Sequence, residues 1–271
     1  MADGKPWFRV KRHGYGARPP CSWDGWAVVT ISIGLLLGSD VLYGVAGDDV
    51  LTDGGETANR DFMYGGSGND TYYVTSSSSA PAEDLVYEGG TNPDLMAGPN
   101  DVDTIHSGGD FFWDYYSVGE VLYNDATTGS PLLVGGKDVL NKTIYGGSGN
   151  DRIVTYGHNS IVDMGAGTDA VDFGSYGLDS SYAGQNTLVM RPGTGTDYIY
   201  NFHSGTDKVD LTAFHFGITG AQVLAQAVNV DNPGTANDYS YFYLTNAGGV
   251  NNFVVFVGLL GSQLQAGDFL T

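Results

Sequence analysis

The chain has 271 residues, 42 of them glycine, with 41% apolar and 13% aromatic residues, only 15% charged residues and a formal net charge of −20. That acidity excludes a nucleic-acid-binding surface and works against anionic membranes, while the apolar and aromatic share excludes a disordered acidic tail. Of the 31 acidic residues 27 are aspartate, a side chain suited to tight turns rather than to helix surfaces, and the length fits one elongated domain or two small ones.

Residues 1–35 stand apart in composition. Lys5, Arg9, Lys11, Arg12 and Arg18 are five of the eleven basic residues, and an apolar run from Trp26 to Leu37 follows. Three readings are open: the first strands of the next region capping its end, a membrane-associated or fused segment, or a cleaved leader. Gly34 and the Gly38-Ser39-Asp40 triplet cut the apolar run short of the roughly 20 residues a membrane helix needs. The single Cys21 excludes an intramolecular disulfide.

The most informative phrase is Gly-Gly-Ser-Gly-Asn-Asp, present twice, at Gly65, Gly66, Gly68 and Asp70 and again at Gly146, Gly147, Gly149 and Asp151. Each copy follows a tyrosine and precedes a strand-like run, Thr71-Tyr72-Tyr73-Val74 or Arg152-Ile153-Val154. Glycines at the first, second and fourth positions let the chain turn tightly and aim carbonyl oxygens inward. The aspartate adds a carboxylate, giving the all-oxygen shell that a hard cation such as Ca²⁺ prefers. An apolar residue two places later starts a strand pointing into the core. Nine residues then make half a turn of a roll, and loops on one edge recur every eighteen.

The rest of the chain is measured against that step. Upstream, Gly38 with Asp40 and Gly47 with Asp49 are nine apart, which puts them on opposite edges. Asp49 and Asp70 are 21 apart, so three extra residues must bulge between them. Asp84 to Glu88, Asp103 to Ser107, Val118 to Tyr123 and Leu140 to Gly146 read as strands. Asn92 to Asn100 and the aromatic cluster Phe111 to Tyr116 read as insertions. Asp151 and Asp169 are eighteen apart, as are Gly149 and Gly167, so the two aspartates are expected to share one ion with carbonyls of Gly147, Gly149, Gly165 and Gly167. His158, Ser160 and Val162 lie midway, a loop that keeps the period without its carboxylate. Gly193, Gly195 and Asp197, then Gly205 and Asp207, are degenerate copies. Thr219 to Val230 has helical spacing, and Tyr239 to Leu244 and Asn252 to Val257 read as strands.

The two nonapeptides resemble the Gly-Gly-x-Gly-x-Asp-x-apolar-x repeat of the RTX family. The Asp84 to Glu88 and Asp103 to Ser107 phrases are similar to segments that separate such repeats. From Asn186 onward, Asp197 to Phe202, Gly205 to Phe214 and the closing Asp268-Phe269-Leu270-Thr271 are similar to the C-terminal module of RTX proteins exported by type I secretion, including serralysin-type metalloproteases. The resemblance implies an all-β parallel β-roll, a right-handed β-solenoid with calcium in its Gly-rich turns, and a β-rich C-terminal cap with one short helix. It also implies an extracellular or cell-surface protein of a Gram-negative bacterium whose partners are calcium, the type I secretion apparatus and, through open solenoid ends, other copies of itself. The expected organisation is 1–35 as an N-terminal segment, 36–185 as roll with an insertion around 75–140, and 186–271 as secretion module.

Catalysis is not expected. None of His13, His106, His158, His203 and His215 forms His-Glu-x-x-His, and Ser67 sits in a calcium turn rather than a nucleophile elbow. His203, Ser204 and Asp207 offer triad residue types, but their presence within one roll turn does not by itself make them converge. A structural or adhesive role is expected, with a monomeric glycan-binding or surface-binding module, or the tail of an RTX hydrolase, as alternatives.

Overall fold

The computed structural model describes residues 30–32, 41–53, 61–74, 85–86, 102–108, 111–112, 121–125, 132–134, 143–155, 159–174, 185–193, 195–215, 217–231, 238–245 and 251–271. In chain order the strands begin with β1 (Thr30–Ser32), β2 (Val41–Ala46), β3 (Val50–Thr52), β4 (Phe62–Ser67), β5 (Thr71–Val74), β6 (Leu85–Val86) and β7 (Thr104–Ser107). They continue with β8 (Phe111–Phe112), β9 (Val121–Asn124), β10 (Leu132–Val134), β11 (Thr143–Tyr145), β12 (Arg152–Val154), β13 (Ile161–Asp163) and β14 (Ala170–Asp172). The last group is β15 (Thr187–Val189), β16 (Thr196–Tyr200), β17 (Lys208–Asp210), β18 (Val228–Val230), β19 (Tyr239–Thr245), β20 (Asn251–Val257) and β21 (Phe269–Leu270).

Odd and even strands separate without exception up to β17. The odd ones, closed by β21, form a ten-stranded sheet, while β2, β4 and β6 form one even sheet and β8 to β16 enter another with β18, β19 and β20. Every neighbouring pair is parallel except β18 with β19 and β19 with β20. A chain that adds one rung to one sheet and the next rung to the other is a β-roll.

Register explains why the roll closes on a dry core. The middle residue of each odd strand stacks on its neighbour, as in Leu51 on Tyr72 on Ile105 on Leu122 on Ile144, and all five are fully buried. Ile153, Val171, Ile199 and Phe256 form the matching row on the even side. Alternation sends the next residue outward, and there Tyr73, His106, Tyr123 and Tyr145 stack ring on ring, with centroids 4.8, 5.0 and 4.7 Å apart. Such pairs add about 0.5–1.5 kcal/mol each beyond the area they bury. His106 Nδ1 also lies 2.9 Å from Asp125 Oδ2.

Three expectations change. The eighteen-residue step holds between Asp151 and Asp169, but other rungs on one edge are 21, 28 or 33 residues apart, because parallel pairing fixes the register of strands and leaves loop length free. Phe111–Phe112 is a rung of the even sheet rather than part of an insertion, and five strands lie between residues 75 and 140. The region from 219 to 230 is not one helix. An α-helix covers Gly220–Leu224, started by a capping box in which Thr219 Oγ1 accepts from Gln222 N and Gln222 Oε1 accepts from Thr219 N, and Val228–Val230 then leaves it as a strand paired with Tyr239–Tyr241. Thr30–Ser32 pairs with β3 as the first described rung, while residues 1–29, Gly38, Asp40 and Asn92 to Asn100 lie outside the described residues.

The sheets continue past residue 186, with β15 on β13 and β16 on β14. At the end of the chain, Phe269 packs against Phe242 and Phe256. Fully buried Asp268 accepts from Ser204 Oγ, Gly205 N and Gln265 N at 2.7–2.8 Å. The C-terminal strand is thus a built part of the roll.

Candidate metal centre

Asp49, Asp70, Asp103, Asp151 and Asp169 each immediately precede a strand and Asp197 is the second residue of β16, so the strand register stacks the aspartates as well. On the edge that leads into the odd strands, Asp49 N donates to Asp70 Oδ1 and Asp70 N donates to Asp103 Oδ1, both at 2.7 Å. On the opposite edge Asp151 N donates to Asp169 Oδ1 at 2.8 Å and Asp169 N to Asp197 Oδ1 at 3.3 Å. Residues one place earlier run a second ladder in the reverse sense. Asn69 N donates to Asp48 Oδ1, Val102 N to Asn69 Oδ1 and Thr168 N to Asn150 Oδ1, each at 2.9 Å.

These bonds use only one oxygen of each aspartate. Asp70 and Asp169 are 1% exposed, and the Oδ2 atom of each is buried with no hydrogen-bond partner among the described residues. Leaving such an atom unmatched costs free energy, more so when it is charged. Burial accordingly pushes the Asp70 carboxyl up from 3.8 to about 7, opposed by the Asp49 N–H and reinforced by the carboxylates of Asp103, Asp49 and Asp48. Burial pushes Asp169 up to about 6 against the hydrogen bonds to Asp151 and Asp197.

The glycines shape the turns that carry these aspartates. Gly47, Gly66, Gly68, Gly147, Gly149, Gly165, Gly167, Gly193 and Gly195 all have positive φ. Turns stack so closely that a Cβ on Gly165 would enter the Gly147 carbonyl, and one on Gly167 the Gly149 carbonyl. Ala166 N donates to Gly147 O and Gly149 N to Ala166 O, each at 2.9 Å, which leaves each carbonyl its second lone pair. Gly65 and Gly146 have ordinary φ and serve differently: their bare α-carbons make room for the Asp70 and Asp151 carboxylates. Among the described residues no three His, Cys, Asp or Glu side chains gather at one point, so a cation here would take much of its shell from backbone. The residues fit a hard, oxygen-seeking ion such as Ca²⁺.

The structure brings together Asp49 with Asp70, and Asp151 with Asp169 and Asp197, while Gly195 stacks on Gly167. The residues that absorb the longer Asp49 to Asp70 step lie within 54–60, outside the described residues. Asp207 differs from the expectation. Its Oδ1 accepts from Asn186 N and Nδ2, and its Oδ2 accepts from His203 N at 2.8 Å. Both of its oxygens thus accept hydrogen bonds, with Asn186 and Ser160 as the neighbouring rungs. Five buried aspartates lie outside the predicted site residues: Asp53, Asp61, Asp103, Asp163 and Asp268. Asp61 stands nine residues before Asp70, a signal that was there to read. Asp103 stands 33 residues after Asp70, which no periodicity reveals.

A parallel roll with register-stacked Gly and Asp turns defines a protein of the calcium-binding β-roll class. The model for the peptidase M10 serralysin C terminal matches residues 134–271, about half of the chain, and the chain belongs to that family. The matched region is the non-catalytic repeat part of serralysin, of the RTX calcium-binding type. No curated protein matches the chain. Among solved structures it is similar to the extracellular lipase LipA from Serratia marcescens, with 18% identity and a TM-score of 0.39 over 86% of this chain. That match covers 37% of the lipase, so the chain spans little more than a third of its length. It is also similar to the AlgE6R3 subunit of the Azotobacter vinelandii mannuronan C5-epimerase, with 24% identity and a TM-score of 0.31, over 55% of this chain and 76% of that one. No helix among the described residues is long and apolar enough to cross a membrane.

Proposed function

We propose that this is an exported protein of a Gram-negative bacterium that folds on calcium outside the cell and serves there as a structural or adhesive element. The buried, unmatched Oδ2 atoms of Asp70 and Asp169 carry the reading. One ion is assigned to Asp151 and Asp169 with carbonyls of Gly147, Gly149, Gly165 and Gly167, and a second block to Asp49, Asp70 and Asp103. Bound calcium supplies the positive charge that offsets the stacked carboxylates, whose mutual repulsion is roughly 1–4 kcal/mol per pair. Binding free energy then becomes folding free energy. Extracellular modules bind Ca²⁺ with dissociation constants of about 10⁻⁴ to 10⁻³ M, so these turns would stay empty in a cytosol and fill after export. Residues 186–271 are assigned to recognition by a type I apparatus while the chain is still unfolded.

The adhesive role is assigned to association between copies rather than to glycan stacking. The outward-facing aromatic row is paired ring on ring, so it offers edges, not the free faces on which a sugar ring would lie. Light scattering of the purified chain tests this. Growth to large particles in about 5 mM CaCl₂, reversed by EDTA, is the expected result. A monodisperse monomer under both conditions contradicts the assembly role.

A further inference from the structure

The two perfect nonapeptides differ at their interior position. The core position that follows the aspartate by two residues is Ile153 in the second copy and Tyr72 in the first. Tyr72 occupies a row otherwise filled by Leu51, Ile105, Leu122 and Ile144, is fully buried, and its hydroxyl has no hydrogen-bond partner among the described residues. A phenol in an aliphatic row costs desolvation unless something meets its oxygen. Asp70 Oδ2, also without a hydrogen-bond partner among the described residues, lies on the same side of Gly65. Both oxygens lie against the α-carbon of Gly65, where a single added methyl group would touch them both. Asp70 Oδ1 is already held from the other side by Asp49 N.

We infer that Tyr72 is a positioning residue for the first calcium turn: its hydroxyl donates to Asp70 Oδ2 from inside the roll and fixes the carboxylate in the orientation the cation meets. The inference rests on the calcium reading of these turns. Ligating carboxylates are commonly held by such outer hydrogen bonds, and losing one lowers metal affinity by about 10- to 100-fold. The second copy, with Ile153, has no such donor, so the device belongs to the first turn alone.

Tyr72→Phe removes only the oxygen. The midpoint of calcium-induced folding at pH 8, read by circular dichroism, is expected to rise by about tenfold. The melting temperature of the metal-free protein at pH 5 is expected to change little. In an Asp70→Asn background the same substitution is expected to leave the calcium midpoint unmoved, since the two residues act as one unit. An unchanged midpoint in the single variant overturns the inference. Equal loss of stability with and without calcium also overturns it, by making the hydroxyl an ordinary structural bond. If the unaltered protein shows no calcium response, the calcium reading itself fails, and this inference with it.

Discussion

Gly165→Ala is expected to unfold most of the protein under conditions where Gly217→Ala leaves it folded. Both glycines have positive φ, +80° and +60°, so both substitutions incur the left-handed backbone penalty of about 1–3 kcal/mol. Around Gly217 nothing lies within 4 Å of an added Cβ, whereas at Gly165 it would enter the Gly147 carbonyl, with Gly147 C and N each 2.8 Å away. Those atoms are backbone and form the turn above, so no side chain can swing aside. Overpacking adds about 1–3 kcal/mol more, for a total of about 4 kcal/mol, a large share of a domain's stability. Urea denaturation in calcium measures the difference. Equal midpoints for the two variants would mean that the turns are not stacked as described.

A pH change is expected to move the metal-free and calcium-loaded proteins in opposite directions. In the unfolded chain Asp70 and Asp169 titrate at 3.8, while in the folded metal-free roll they hold their protons up to about 7 and about 6. Between these values the folded state binds more protons than the unfolded one, so unfolding free energy falls as pH rises. The contribution is greatest below about pH 4 and is lost above about pH 7. In EDTA the β signal and its thermal transition are therefore expected to be stronger at pH 5 than at pH 8. Calcium needs the deprotonated carboxylates, so with a constant, limiting calcium concentration the order reverses and the calcium midpoint climbs as pH falls. Asp169→Asn separates the two effects. It keeps an oxygen for Asp151 N but removes the charge, so it should stabilise the metal-free form at pH 8 and raise the calcium midpoint by about tenfold, since ligand charge tunes affinity.

Much of this was legible because the repeat joins a turn to a strand. Gly65 to Asp70 and Gly146 to Asp151 each announce the turn, the carboxylate and the following strand within nine residues. The opposite placement of Val41 and Val50 follows from counting, and the strands do lie in different sheets. What the spacing hid is everything that loop length controls. The rung from Asp70 to Asp103 spans 33 residues, yet its register is set by hydrogen bonds at the strand start and does not depend on the loop between. Phe111–Phe112 looked like an aromatic insertion because its neighbours break the alternation. The ladder of Ser160, Asn186 and Asp207 was half visible: the missing carboxylate at Ser160 could be read, but the hydrogen bonds from His203 N and Asn186 to Asp207 needed coordinates. Tyr72 passed as one more core residue, since nothing in its neighbours in sequence shows that its hydroxyl and the Asp70 carboxylate lie on the same side of Gly65.

Far-ultraviolet circular dichroism at pH 8, first in EDTA and then in about 5 mM CaCl₂, tests most directly that calcium orders the stacked turns. The expected result is a weak β signal in EDTA that rises cooperatively on adding calcium and is lost again on chelation. An equally strong β signal in EDTA and in calcium, with the same melting temperature, would contradict it and leave the aspartate ladders as turns that close by themselves.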